Sequence, residues 1–240
     1  VGEKVLELER DDRYAPDFIL EGGSIDVDGE GTVLTTEECL LNANRNPNLG
    51  RADIERMLRD YLNVDSVLWL PKGVYLDETD GHIDNFCRFV APGEVVLTWT
   101  DDAGDPQHAI SAEAFDLLAS MRDAKGRALK IHKLHQPSPV LITAEEAAEV
   151  DHVPGTLPRQ AGDRLAASYV NFYIANNAIV LPVYGDPQDA RARQTLAALF
   201  PTRHIITLPG REILLGGGNV HCITQQEPRG RPKDVGKRAA

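Results

Sequence analysis

Only three cysteines occur in the sequence, Cys39, Cys87 and Cys222, an odd set without paired spacing. That scarcity excludes a disulfide framework and points to a reducing compartment, the cytoplasm. Long apolar runs are also missing. No stretch approaches the length a membrane helix needs, and the first residues lack the basic-then-apolar build of a signal peptide. Positive charge is in deficit: 25 Lys and Arg stand against 37 Asp and Glu, a formal net charge of -12. The deficit argues against nucleic acid as a partner and favours cationic small molecules. What remains is an ordinary globular composition, 42% hydrophobic and 26% charged over 240 residues, enough for one domain with a sizeable core.

The chain repeats itself. A hairpin, a helix and a single strand follow one another three times, which predicts an α/β fold built from ββαβ units. In the first unit Ser24–Val27 turns through Asp28-Gly29-Glu30-Gly31 into Thr32–Thr35, a strong hairpin signal. A helix is expected over Ala52–Leu62 and a strand over Ser66–Leu70, stopped by Pro71. The second unit opens with a strand at Gly81-His82-Ile83-Asp84, turns near Pro92-Gly93 and returns through Val95–Trp99. Its helix is expected over Ala112–Asp123 and its last strand over Ala128–Leu134. The third pairs Tyr169–Tyr173 with Ile179–Leu181 around Asn176-Asn177, then runs through a helix at Pro187–Phe200 into His204–Thr207. Cys222 falls where a fourth hairpin would begin. Between units two and three, residues 136–166 are rich in proline, glycine and charge, a lid or a plain connection, with a short helical pattern at Ala144–Val150.

His82, Asp84 and Cys222 thus occupy the first strand of their units, and a radial repeat would gather such positions around one central channel. Before Cys222 stand three glycines, Gly216-Gly217-Gly218, where backbone can approach a ligand closely. The cysteine is either a nucleophile or an ordinary buried thiol beside a turn. As a nucleophile it would work with His82 as general acid and base, since imidazole titrates near neutral pH. Asp84, two residues along the strand, would share His82's face, while His221 would face away from Cys222. Glu21, before Gly22-Gly23, is the matching carboxylate of unit one. Asn171 holds the equivalent position in unit three, as substrate contact or structural hydrogen bond, and Asp80 either lines the entrance or caps a turn. Several carboxylates beside a thiol and an imidazole suit a planar cation, above all a guanidinium. Cys39 and Cys87, among apolar neighbours, are expected in the core.

The segments Leu20–Ile25, Cys39–Pro47, Asp77–Asn85, Ser168–Tyr173 and Gly216–Gln226 together resemble the agmatine deiminase family, which includes bacterial peptidyl-arginine deiminases. The resemblance runs from about Phe18 to Pro228. It implies a pentein fold, a guanidine-modifying α/β-propeller of five ββαβ units, of which three and the start of a fourth are visible. It further implies hydrolysis of agmatine to N-carbamoylputrescine and ammonia without metal or organic cofactor, through a covalent thiouronium. By position Cys222 matches the nucleophile, His82 the acid/base, and Glu21 and Asp84 the acidic residues. Gly217, Gly218, Asn171 and Asp80 are then candidate substrate contacts. The family's earlier Trp-x-Arg-Asp segment has no counterpart before Glu21. The expectation is one catalytic domain over 1–240, N-terminally incomplete and prone to self-association, with 227–240 as a flexible tail. An arginine or peptidyl-arginine deiminase, or a non-catalytic ligand-binding relative, are the competing readings.

Overall fold

The computed structural model describes residues 2–10, 12–149 and 159–226. The expected tail at 227–240 lies outside the described residues, as does the end of the helical pattern at Val150. A short exposed helix, α1 (Gly2–Glu9), precedes the repeats. The first unit comprises β1 (Asp26–Val27), β2 (Thr32–Thr36), a single turn α2 (Glu37–Leu40), α3 (Arg51–Leu62) and β3 (Ser66–Leu70). The second comprises β4 (Cys87–Ala91), β5 (Glu94–Trp99), α4 (Pro106–Ser120) and β6 (Lys130–His135). A small ribbon of β7 (Val140–Leu141) and β8 (Arg164–Leu165) with α5 (Ala144–Ala148) intervenes. The third unit is β9 (Tyr173–Ile174), β10 (Ala178–Val183), α6 (Gln188–Leu199) and β11 (His204–Pro209), followed by α7 (Arg211–Leu215). Each unit forms the same three-stranded sheet, an antiparallel hairpin whose second strand pairs in parallel with the strand after the helix.

Local chemistry explains the elements. The β1–β2 turn is held by Asp28, whose Oδ1 accepts from the backbone N–H groups of Glu30 and Thr32 at 2.7 and 2.8 Å. Gly29 and Gly31 supply its positive φ values of 74° and 102°. Helix α4 starts six residues earlier than its apolar periodicity suggests. Asp105 caps it by accepting from the Gln107 N–H at 2.9 Å, and Pro106 pre-sets the first helical φ.

Each helix packs on its own sheet, and the second and third also cover the sheet before them. Ile54 and Leu58 of α3 meet Val33 and Trp69 of their own unit. Ala114 and Leu118 of α4 lie between Val95 and Leu97 on one side and Leu34, Leu68 and Leu70 of unit one on the other. Ala192 and Leu196 of α6 likewise sit between Ile179 and Leu181 and the preceding unit's Val96 and Leu134. Cys39 and Cys87 are fully buried in this packing, as expected. Arg88 of β4 pins the three first strands together: its Nε donates to Asp26 of β1 at 3.0 Å, and its Nη1 to the carbonyl of Phe172, just before β9.

The first strands are shorter than the sequence reading has them. Ser24, His82–Asp84 and Tyr169–Asn171 are not strand. Single 3-10 turns occupy Gly22–Ser24, Ile83–Asn85 and His221–Ile223, and an ordinary turn holds Tyr169-Val170. Side-chain-to-backbone bonds close these turns. Ser24 Oγ donates to the Glu21 carbonyl at 2.6 Å, Val170 N–H to Ser168 Oγ at 3.0 Å, and Thr224 Oγ1 to the His221 carbonyl at 2.7 Å. Such local bonds compete with a sheet ladder.

Candidate active site

The turns opening the units converge, so residues 137 and 138 positions apart in sequence meet at Asp84. Asp84 is wholly buried. Its Oδ2 lies 2.7 Å from His221 Nδ1 and 3.7 Å from Cys222 Sγ, whereas its Oδ1 has no hydrogen-bond partner. His221 therefore faces the same carboxylate as Cys222. A strand would separate the two, but a 3-10 turn with about three residues per turn does not. The turn is anchored by Asn171, whose Oδ1 accepts from the His221 backbone N–H at 2.7 Å. Asn171 Nδ2 points at Cys222 Sγ, 3.5 Å away.

A cleft of about 370 Å³ of empty space, partly open to solvent, lies over Cys222. Asp77, Asp84, Asn85, Gly217 and Gly218 line it beside the thiol, with Leu165 and Ala166 from the segment between units two and three. That segment also sends Arg159 to the rim, where its Nη2 bonds Glu78 Oε2 at 2.8 Å. Gly217 has φ 91°, and a side chain there would collide with Arg159. A Cβ on Gly218 would press on the Cβ of Cys222 at 3.1 Å. Asn219 fixes the glycine run by donating to Tyr184 Oη at 2.7 Å.

Cys222 as a residue is exposed at the cleft, yet the protein packed around its sulfur first, and the Asp84 charge second, push the thiol up to about 11. The backbone of Asn219 and the side chain of Asn171 pull against that rise. Burial also raises Asp77 despite hydrogen bonds from Thr79. The sequence reading did not single out Asp77, because nothing in its spacing separates it from its acidic neighbours Glu78 and Asp80. Asn85, whose Oδ1 is buried without a donor, escaped for the same lack of pattern.

His82 and Glu21 stand behind the cleft. An added Cβ on Gly23 would come within 2.6 Å of His82 Nδ1 and 2.8 Å of Asp84 Oδ2, which puts those two side chains against one glycine. His82 Nε2 points the other way, 3.6 Å from Glu21 Oε1. Burial works to raise the Glu21 carboxyl, but Arg45 overcomes it through hydrogen bonds of 2.5 and 3.1 Å and holds the group below the ordinary carboxylate range. Asp80 does not line the cleft. Its Oδ2 accepts from Arg45 Nη1 at 2.9 Å and from Asn44 Nδ2 at 2.8 Å, so it steadies Arg45 rather than facing a ligand. Arg45 falls within the Cys39–Pro47 motif, whose spacing gives it no role; its only signal is that a buried Arg needs carboxylates around it.

Fold and site together define a mixed α/β protein that presents a cysteine, two histidines and buried carboxylates at the convergence of its units. The family model described as Porphyromonas-type peptidyl-arginine deiminase matches residues 1–228, and the chain belongs to that family. It is 59% identical over 226 residues to the agmatine deiminase of Pseudomonas putida KT2440, covering 94% of this chain and 61% of that protein. The solved agmatine deiminase of Enterococcus faecalis matches with TM-score 0.90 at 47% identity, over 94% of this chain and 62% of that one. The C. jejuni agmatine deiminase with substrate bound matches with TM-score 0.77 at 29% identity, over 92% of this chain and 60% of that one. The chain thus spans less than two thirds of the length of these relatives.

Proposed function

We propose that this site hydrolyses the guanidinium of agmatine to N-carbamoylputrescine and ammonia. The observation that carries the reading is Asp84: one oxygen buried and free toward the cleft, the other beside both His221 and the Cys222 sulfur. A buried carboxylate oxygen without a donor is costly. A guanidinium N–H supplies that donor together with a compensating charge, and Asn85 Oδ1 offers a second acceptor at the same wall.

The raised Cys222 thiol fits this course. The substrate cation offsets the Asp84 charge that holds the proton on sulfur, and Asn171 donates to the thiolate as it forms. Sulfur gives its proton to His82 and attacks the guanidine carbon; His82 then passes that proton to the departing nitrogen, the C–N bond breaks, ammonia leaves and a thiouronium remains on Cys222. Water deprotonated by His82 then adds to the same carbon, the C–S bond breaks, and the ureido product departs. Glu21, kept ionised by Arg45, places its charge 3.6 Å from His82 Nε2 and so favours the protonated imidazole, without hydrogen-bonding it. Asp80 acts through Arg45, and His221 holds Asp84 in place. Gly217 and Gly218 leave room for the substrate against the thiol. No metal or organic cofactor takes part. We further propose that the three units are blades of a five-bladed α/β-propeller forming one catalytic domain, that the protein works in the cytoplasm, and that its partner is this small cation rather than nucleic acid or a membrane. Among the described residues no helix is long and apolar enough to cross a membrane.

A second reading is a deiminase of free or peptide-bound arginine, the latter being what the family description names. Incubation with agmatine, arginine and a blocked arginine peptide, with ammonia and ureido product measured, decides between them. Turnover of agmatine alone, abolished by Cys222→Ala, is the expected result. Preference for either arginine compound overturns the substrate, and turnover by Cys222→Ala overturns the mechanism. Silence on all three, with no acceleration of Cys222 alkylation by agmatine, puts the non-catalytic reading ahead.

A further inference from the structure

Behind the cleft, on the side of His82 away from Asp84, three ligand-type atoms from three separate segments face one another. A carboxylate oxygen of Glu21, the Sγ of Cys39 and a ring nitrogen of His82 all lie within 4.8 Å of each other, and Glu21 Oε1 stands 3.6 Å from His82 Nε2. Cys39 is carried there by α2, whose first turn is capped by Thr36 Oγ1 accepting from the Cys39 N–H at 3.2 Å. Thr36 Oγ1 also donates to the Gly81 carbonyl at 2.7 Å, which fastens this turn to the His82 segment. Cys39 is fully buried and His82 is 7% exposed, yet His82 Nε2 has no hydrogen-bond partner. Its nearest acceptor, Glu21 Oε1, stands off at 3.6 Å. An imidazole nitrogen aimed into such a gap between a thiol and a carboxylate lacks what a cation supplies, a centre that satisfies all three at once.

The dimensions suit a thiophilic divalent ion. With sulfur about 2.3 Å and nitrogen or oxygen about 2.0–2.2 Å from zinc, tetrahedral ligand atoms sit roughly 3.3–3.7 Å apart. Glu21 and His82 already have that separation, and Cys39 needs to move by no more than roughly 1.5 Å to complete it. The remaining charges accommodate the change. Glu21 exchanges its 3.1 Å hydrogen bond from Arg45 Nη2 for the ion and keeps the 2.5 Å bond from Arg45 Nε. Arg45 stays anchored on Asp80 and on the Thr79 carbonyl at 2.7 Å. Cys39 S–H releases its proton to solvent, and the sulfur electron pair goes to the metal. The ion and its two anionic ligands then sum to zero net charge. The half-exposed Glu21 side chain opens the way in from solvent.

We propose that Glu21, Cys39 and His82 form a trap for a soft divalent cation such as Zn2+, separate from the substrate cleft, and that filling it removes His82 from acid/base work. The second half rests on the agmatine-hydrolysis reading; the first does not. The ion is an inhibitor and takes no part in the reaction. Burial, opposed by Arg45 and aided by Glu21, pushes the Cys39 thiol up to about 12, so metal uptake displaces a proton and strengthens as pH rises.

Cobalt is the probe, because thiolate ligation gives Co2+ a charge-transfer band that oxygen and nitrogen ligands do not. The titration uses the Cys222→Ala chain, which removes the exposed thiol. One Co2+ per chain with a thiolate band, displaced by Zn2+, is expected. The band vanishes in Cys39→Ser and binding weakens at least tenfold in His82→Asn. X-ray absorption on the Zn2+-loaded Cys222→Ala chain, with one sulfur in its shell, gives the same answer if the Cys39 variant fails to fold. Binding without sulfur, a band that survives Cys39→Ser, or no binding at millimolar Co2+ overturns the site. Metal uptake without agmatine turnover defeats only the catalytic reading, and turnover without metal uptake defeats only the trap. In a chain that turns over, Zn2+ is expected to inhibit Cys39→Ser at least tenfold less than wild type. Equal inhibition overturns the link to His82.

Discussion

At the scale of single residues, Asp84 decides the behaviour of the site, because it touches both the thiol and a histidine. Asp84→Asn removes the charge that helps hold the Cys222 proton, so the thiol is expected to ionise at lower pH. A fall of about one unit makes alkylation roughly tenfold faster at pH 8, because below its pKa the reactive thiolate fraction scales with that shift. Rates of iodoacetamide labelling against pH check this; an unchanged profile would mean that Asp84 does not govern the sulfur. Cys39 and Cys87 are fully buried and do not compete for the reagent in the folded protein. His221 is read the same way. Its Nδ1 serves the buried Asp84 oxygen at 2.7 Å, so His221→Ala should lower kcat/KM by ten- to a hundredfold, about 1.4–3 kcal/mol. His221→Asn keeps a donor at the position of Nδ1 and should recover most of the loss, whereas equal damage by both variants would reduce His221 to packing. The gathering of Cys222, Asp84, His82 and Glu21 at the unit openings was legible because chemistry named the residue types and repeat phase put three of them at equivalent positions. His221 was misjudged through one local error, a strand assumed where a 3-10 turn lies. Arg45 and Asp77 act only through tertiary neighbours, which sequence spacing does not encode.

At the scale of elements, short turns do what the strands were expected to do. The three hairpins, three helices and parallel return strands follow hydrophobic period and turn residues closely enough to be read from the chain. The errors fall at the ends. Helix α4 begins where Asp105 and Pro106 cap it rather than where its apolar stripe becomes obvious. The unit openings leave the sheet because Ser24, Ser168 and Thr224 bond their own backbone. These turns also explain the glycine at 23. A Cβ there would sit 2.6 Å from His82 Nδ1 and 2.8 Å from Asp84 Oδ2, so Gly23→Ala must drive the two side chains away. Overpacking of this kind costs roughly 1–3 kcal/mol of stability. Displacing the acid/base by about 1 Å costs on the order of a hundredfold in rate. Gly22→Ala meets nothing within 4 Å and serves as the control. Thermal unfolding and agmatine turnover, measured on both, should separate a small loss of stability from a large loss of rate in Gly23→Ala alone. Matching rates in the two variants would show that the turn does not set the spacing of His82 and Asp84.

At the scale of the whole molecule, α4 and α6 are each shared by two sheets, and the register of the last sheet shows where that stacking stops among the described residues. In unit one the pairs Leu34–Leu68 and Thr36–Leu70 turn toward α4, and in unit two Val96–His132 and Thr98–Leu134 turn toward α6. The corresponding pairs of unit three are Val180–Ile206 and Pro182–Leu208. Pro182 is buried against Gly210 at the start of α7, but the β11 side of that face is open among the described residues: Ile206 is 52% and Leu208 39% exposed, and β11 is an edge strand. An apolar face next to an unpaired strand edge is a site of association. The outer side of α3 is mostly charged, Arg51 and Arg59 forming ion pairs there with Glu55, and offers only Tyr61 as an exposed aromatic. The same face on a second copy offers an apolar counterpart, and pairing it with itself closes the contact with two-fold symmetry. Sedimentation velocity should therefore show this chain associating as its concentration rises, while Ile206→Lys with Leu208→Lys stays a single chain. The lysines point away from Leu181 and α6, so the variant should keep its fold and its Cys222 labelling rate. A wild-type chain that remains single at high concentration, or a double variant that associates unchanged, would mean that this face is not the contact.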